Sequence, residues 1–148
     1  MHTKGGHMSA RKVVVFLAII FYGTCTALAQ DTWVPVSSTL THVFEVRAGS
    51  FEFAVIERTN EPIAAIIVRA RELSSSKLQF EKNYVRLSDC RAGFGKLVAT
   101  DLNGRAKYDN DFIFDGGNVS STIAETLCAL AAAYSKTQPG NITPGRSF

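Results

Sequence analysis

The stretch from Thr122 to Tyr134 constrains the fold most, because it alone combines a helix start signal, an apolar stripe and a cysteine. Thr122 and Glu125 have the spacing of a capping box, in which the hydroxyl takes one orphan backbone N–H and the carboxylate returns to another. A helix is therefore predicted to open there. Ile123, Leu127, Leu130 and Tyr134 recur at i, i+4, i+7 and i+11, flanked by Ala124, Cys128 and Ala131. One wide face is thus apolar, and small enough in places to lie close on a sheet. Everything before it reads as strands, so this helix is expected to be the lid on the core.

Those strands follow one another without a repeat or a linker. Trp33-Val34-Pro35-Val36 reads as an edge strand, since proline lacks the donor a central strand needs. Val43 to Val46 gives a second short piece before the turn at Ala48-Gly49-Ser50. Phe51, Phe53 and Val55 then alternate against Glu52 and Ala54, the pattern of a half-buried strand, and Asn60-Glu61-Pro62 ends it. Ile63 to Val68 is apolar on both faces, as a central strand would be, with a helix as the alternative. Lys77 to Leu87 carries Leu78 and Phe80 in one phase and Val85 and Leu87 in the other, which predicts a bulge near Lys82-Asn83. The run from Tyr84 to Asp89 reads as a strand ended by Cys90. Phe94 to Asp101 and Ala106 to Phe114 flank Asn103-Gly104, a strong hairpin turn. In the second of these strands Tyr108, Asn110, Phe112 and Phe114 share one side, and Asp109, Asp111 and Ile113 the other. The expected class is α+β: an antiparallel β-meander of five or six strands with a C-terminal α-helix packed on one face. The domain is expected over 30–134, with 135–148 an aperiodic, disordered tail.

The chain opens with a leader of another kind. Arg11-Lys12, the apolar run Val13 to Tyr22 and Ala27-Leu28-Ala29 have the three-part form of a secretory signal peptide, which predicts cleavage after Ala29. Met8 begins a complete basic n-region and is a candidate initiator. Lipidation of Cys25, which would attach the protein to a membrane, wants Leu three residues earlier and a small residue just before; Tyr22 and Thr24 stand there instead. Losing 1–29 removes Lys4, Arg11 and Lys12 and no acidic residue, leaving thirteen basic against thirteen acidic groups. The basic balance of the whole chain therefore belongs to the leader, and no persisting basic face argues for nucleic acid. In an oxidising compartment the two remaining cysteines, Cys90 and Cys128, are expected to pair as a disulfide rather than hold a metal or cycle redox states.

Chemistry-bearing residues are sparse. The exported part keeps one histidine, His42, in a segment without a nucleophile, and it reads as a strand-edge residue. Asp109 and Asp111 fall on one strand face with Asp115 beyond, but without calcium-loop spacing they read as solvated charge. Asp101-Leu102-Asn103-Gly104 is explained as turn chemistry. No catalytic residue, metal site or cofactor is assigned. The more informative feature is a basic cluster of Arg69, Arg71, Lys77, Lys82, Arg86 and Arg91, interleaved with Glu72, Glu81 and Asp89. Two readings stand for it: cross-strand ion pairing, and a docking surface for an acidic partner.

The order of parts resembles the bacterial surface-adhesin protein E family. The likeness lies in the export signal, the opening Trp33-Val34 strand, the meander, Asp89-Cys90, the strand at Tyr108 and a last helix carrying Cys128. The resemblance implies a small envelope protein, at the cell surface or in the periplasm, with one internal disulfide. It implies binding to a host matrix protein rather than catalysis, and it leaves a homodimer open. By analogy, the partner-binding positions would be Lys77, Lys82, Tyr84 and Arg86. A periplasmic inhibitor or immunity protein, blocking a partner enzyme through a loop such as Asp115 to Asn118, is the alternative expectation.

Overall fold

The computed structural model describes residues 31–137. The leader with Met8 and Cys25, and the chain from residue 138 on, lie outside the described residues. The strands are β1 (Trp33–Ser38), β2 (His42–Arg47), β3 (Glu52–Ile56), β4 (Glu61–Glu72), β5 (Leu78–Arg86), β6 (Phe94–Thr100) and β7 (Ala106–Ile113); the helices are α1 (Leu87–Ala92) and α2 (Val119–Thr137). All neighbouring strands are antiparallel, in the order β1-β2-β4-β5-β6-β7, with β3 also on β4.

The apparent skip from β2 to β4 dissolves when the register is followed. Val46 of β2 pairs with Val68 and Glu52 of β3 pairs with Ala65, so β2 and β3 lie end to end along the same edge of β4. Between those pairs the first strand spends five residues, Arg47 to Phe51, where β4 spends two. The excess loops out at Gly49, whose φ of 76° suits a residue without a Cβ. Ser50 seals the gap: its hydroxyl donates to the Arg47 carbonyl at 2.8 Å and accepts the Ile67 N–H at 3.1 Å, satisfying a ladder donor that would otherwise be orphaned. The sheet is therefore a true meander with one interrupted strand, and the α+β expectation holds.

One face of the sheet carries the core. Val46, Phe53, Ala64, Ile66, Val68, Val85, Leu97 and Phe112 meet Ile123, Ala124, Leu127, Cys128 and Ala131 of α2. The other face of β4 is also shut at one end, where Ile63 and Ala65 are fully buried. Tyr84 and Arg86 pair with them across β5, so side-chain stems rather than a second layer exclude water there. That explains why Ile63 to Val68 reads as continuously apolar; it is a strand, not a helix.

Several local expectations are corrected. The helix opens three residues earlier than Thr122: Asn118 Oδ1 accepts the Ser121 N–H at 2.8 Å, and Thr122 instead donates to the Asn118 carbonyl at 3.1 Å. Glu125 accepts the Asp115 N–H at 2.8 Å, so it fastens the preceding loop rather than closing a capping box. At the other end α2 runs on to Thr137, past the expected boundary at 134. Its buried stripe is Ile123, Ala124, Leu127, Cys128 and Ala131, whereas Leu130 is 37% and Tyr134 44% exposed. Small side chains let the helix settle close to the sheet and turn Leu130 to the rim. Tyr134 still packs edgewise, its ring 5.7 Å from that of Phe53 and 5.9 Å from that of Phe51.

Cys90 does not end a strand. β5 stops at Arg86, and Cys90 sits on α1, a helix of 6 residues terminated by Gly93 at φ 78°, whose N–H bonds the Asp89 carbonyl. The expected bridge is present: Cys90 and Cys128 are joined, with Cα atoms 5.4 Å apart. It ties α1 to α2 and so clamps the lid to the β5–β6 connection.

Candidate functional site

The β5 strand sets the site. Its register with β4 is unbroken from Leu78 opposite Arg71 to Arg86 opposite Ile63, so the bulge expected near Lys82-Asn83 is absent. The phase conflict that implied it has another cause: the core-facing positions of β5 include the polar Glu81 and Asn83 beside Val85, and all three are buried. Strand alternation then sends Leu78, Phe80, Lys82, Tyr84 and Arg86 to the face without a helix. Leu78 and Phe80, each 41% exposed, are apolar residues presented to solvent.

Across that face the neighbouring strands supply partners in order. The indole of Trp33 lies edge-on to Phe80, ring centres 5.6 Å apart, and the Arg69 guanidinium stands 4.4 Å over the same indole. Arg69 Nε donates to Glu45 Oε2 at 2.7 Å, and Arg71 lies 3.9 Å from the same oxygen. That hydrogen bond from Arg69 holds the Glu45 carboxyl below its usual range, burial opposing it and both guanidinium charges adding to it. Further along, Lys82 bonds Glu52 at 2.8 Å and Arg86 lies 3.0 Å from Glu61. Burial raises the Tyr84 phenol above its ordinary value, the Arg86 charge opposing it. Beside it a cleft of about 370 Å³ is bounded by Ile56, Glu57, Arg58, Thr59, Tyr84 and Arg86.

The structure thus brings Lys82, Tyr84 and Arg86 into one row and leaves Lys77 at its end, exposed in the turn before β5. Four cations of the basic cluster, Arg69, Arg71, Lys82 and Arg86, have carboxylate partners on adjacent strands. Cross-strand pairing therefore describes most of the cluster, and the row presents exposed apolar residues, Leu78 and Phe80, beside cations fixed in ion pairs. The sequence put Leu78 and Phe80 in one phase of the strand without a face, and read Trp33 only as part of an edge strand. Counting back in twos from the buried Val85 would have turned Leu78 and Phe80 outward.

The remaining candidates resolve into ordinary roles. Asp109 and Asp111 share the outer face of β7, with Lys96 Nζ at 3.7 and 2.9 Å. The ammonium is held above its usual range chiefly by its hydrogen bond to Asp111. Both carboxylates are largely exposed, at 58% and 84%. His42 lies at the start of β2, its Nδ1 2.9 Å from the Thr41 hydroxyl. Asp101 Oδ1 accepts the N–H groups of Asn103 and Arg105, both at 2.9 Å, as turn chemistry requires. The loop Asp115 to Asn118 is exposed but fastened to α2 at both ends. Among the described residues no group of three His, Cys, Asp or Glu side chains could hold a metal ion, and no helix is long and apolar enough to cross a membrane.

With this geometry in view, comparison with known protein families, with characterised proteins and with solved structures finds no match.

Proposed function

We propose that this chain is an exported, non-enzymatic protein-interaction domain of the bacterial envelope that docks a partner protein on the helix-free face of its sheet. The observation that carries the reading is the outward row of β5. Leu78 and Phe80, continued by Trp33, Lys82, Tyr84 and Arg86, form an apolar and aromatic strip bordered by paired charges. Aromatic anchors with arginine, ringed by polar groups, are the composition of interface hot spots. The resemblance to the surface-adhesin family supports a host matrix protein as the partner.

The test uses the natively processed protein against a panel of immobilised matrix proteins, alongside labelling of intact cells. Saturable binding that falls at least about tenfold in a Leu78→Ser, Phe80→Ser double variant is expected, with surface labelling of the parent. Binding unchanged in a variant that retains the parent's circular dichroism would overturn the proposed face. Protein found only in the soluble periplasm would overturn the adhesin role and leave the inhibitor reading in its place.

A further inference from the structure

The opposite face of the sheet holds a second arrangement, independent of the docking strip. Where α2 begins, its underside does not meet an apolar strand. It faces Glu81 and Asn83 of β5, and a cavity of about 200 Å³ remains between helix and sheet. By the liquid volume of water, that is room for about seven water molecules.

Its polar wall is organised around Glu81, which is 6% exposed. Tyr108 Oη donates to Glu81 Oε1 at 2.5 Å, Lys107 Nζ to Oε2 at 3.0 Å, and Asn83 Nδ2 to Oε1 at 3.4 Å. Carboxylate and ammonium neutralise each other, so the cavity carries no net charge. A bulge between Ala99 and Thr100 adds the residue that lets both Lys107 and Tyr108 turn toward Glu81. Asn83 is 1% exposed and lines the cavity, its Nδ2 committed to Glu81. The Asn110 amide, on an exposed residue, and the Ser120 hydroxyl also line the cavity. Phe44, Leu97 and Ile123 complete the lining.

We propose that this cavity is a binding site for a small uncharged polyol of monosaccharide size. A neutral ligand suits a neutralised ion pair. Hydroxyl groups both donate and accept, matching an acceptor at Asn83, an amide at Asn110 and a hydroxyl at Ser120. The C–H face of a ring suits the apolar wall, and the pairing of apolar lining with a few convergent polar groups is that of small-molecule sites.

The test is titration of isotope-labelled, natively processed protein with glucose, galactose, N-acetylglucosamine and myo-inositol separately, read by amide NMR shifts. At least one probe is expected to give saturable shifts at Asn83, Asn110 and Ser120 with roughly millimolar affinity. Asn110→Ala, at an exposed position, should keep the fold and weaken that affinity about tenfold; Asn83→Ala is read only if its circular dichroism matches the parent. Absence of saturable shifts at these residues with all four probes would overturn the proposal, as would shifts that Asn110→Ala leaves unchanged.

Discussion

Removing the Cys90–Cys128 bond gives the sharpest test of how the lid is held. The two residues are 38 apart in sequence, and the chain-entropy relation for a loop of that length gives about 4 kcal/mol at 25 °C. For an ordered region of about 110 residues the unfolding entropy is about 0.23 kcal/mol/K, so this loss corresponds to a fall in Tm of about 17 °C. The perturbation is the double variant Cys90→Ala, Cys128→Ala, compared by scanning calorimetry with the oxidised parent and with the parent in reductant. The reduced parent keeps both sulfur atoms, so agreement between it and the double variant isolates the bond from the packing of Cys128 in the core. Ile123, Leu127 and Ala131 still seat the helix, so the far-ultraviolet spectrum below the transition should not change. A fall smaller than about 5 °C would refute the loop-closure account and leave the lid held by apolar contact alone.

Further outcomes follow from single contacts. A Cβ on Gly95 would stand 2.3 Å from Asp89 Cγ and Oδ2, on a helix anchored by the neighbouring Cys90, so Gly95→Ala should cost about 1–3 kcal/mol in urea unfolding. Glu45, depressed in the folded state chiefly by its hydrogen bond from Arg69, contributes stability that is complete above its unfolded pKa near 4.5 and is lost as pH falls through the lower folded value. Glu45→Gln should therefore be less stable than the parent at pH 7 and flatter in urea titrations toward acid; Glu72, lowered by the hydroxyls of Ser75 and Ser74, retains part of the slope. Asn118→Ala removes the cap on Ser121 and should cost about 1 kcal/mol in the same assay. Asp109→Asn with Asp111→Asn breaks only exposed pairs with Lys96 and should change stability by less than about 0.5 kcal/mol, whereas a larger loss would show that this edge strand depends on them.

The meander, the lid and its sulfur bridge were legible because each rests on a local signal: turn residues between apolar runs, one helical stripe, and two cysteines left after the leader. Errors arose where tertiary context outweighed those signals. Thr122 and Glu125 have capping-box spacing, but Asn118 lay closer to the incoming strand and took the cap, freeing Glu125 to hold Asp115. Glu81 and Asn83 disguised the inner phase of β5, since alternation is read by assuming that polar residues face out. The collinearity of β2 and β3 was illegible for a different reason: Gly49 and Ser50 look like any hairpin turn, and only the pairing of both pieces with β4 shows that the chain continues straight on. The outward row of β5 was half visible, its cations in the sequence and its apolar members only once their face was known.

The cover of the sheet is encoded after every strand it covers. During synthesis every strand emerges before the 19 residues of α2, so Phe53, Ile66, Val85 and Phe112 have no roof until that helix is delivered. A nascent chain halted ahead of Val119 would present a broad water-averse surface to other copies and to chaperones, with Cys90 still lacking the sulfur it pairs with.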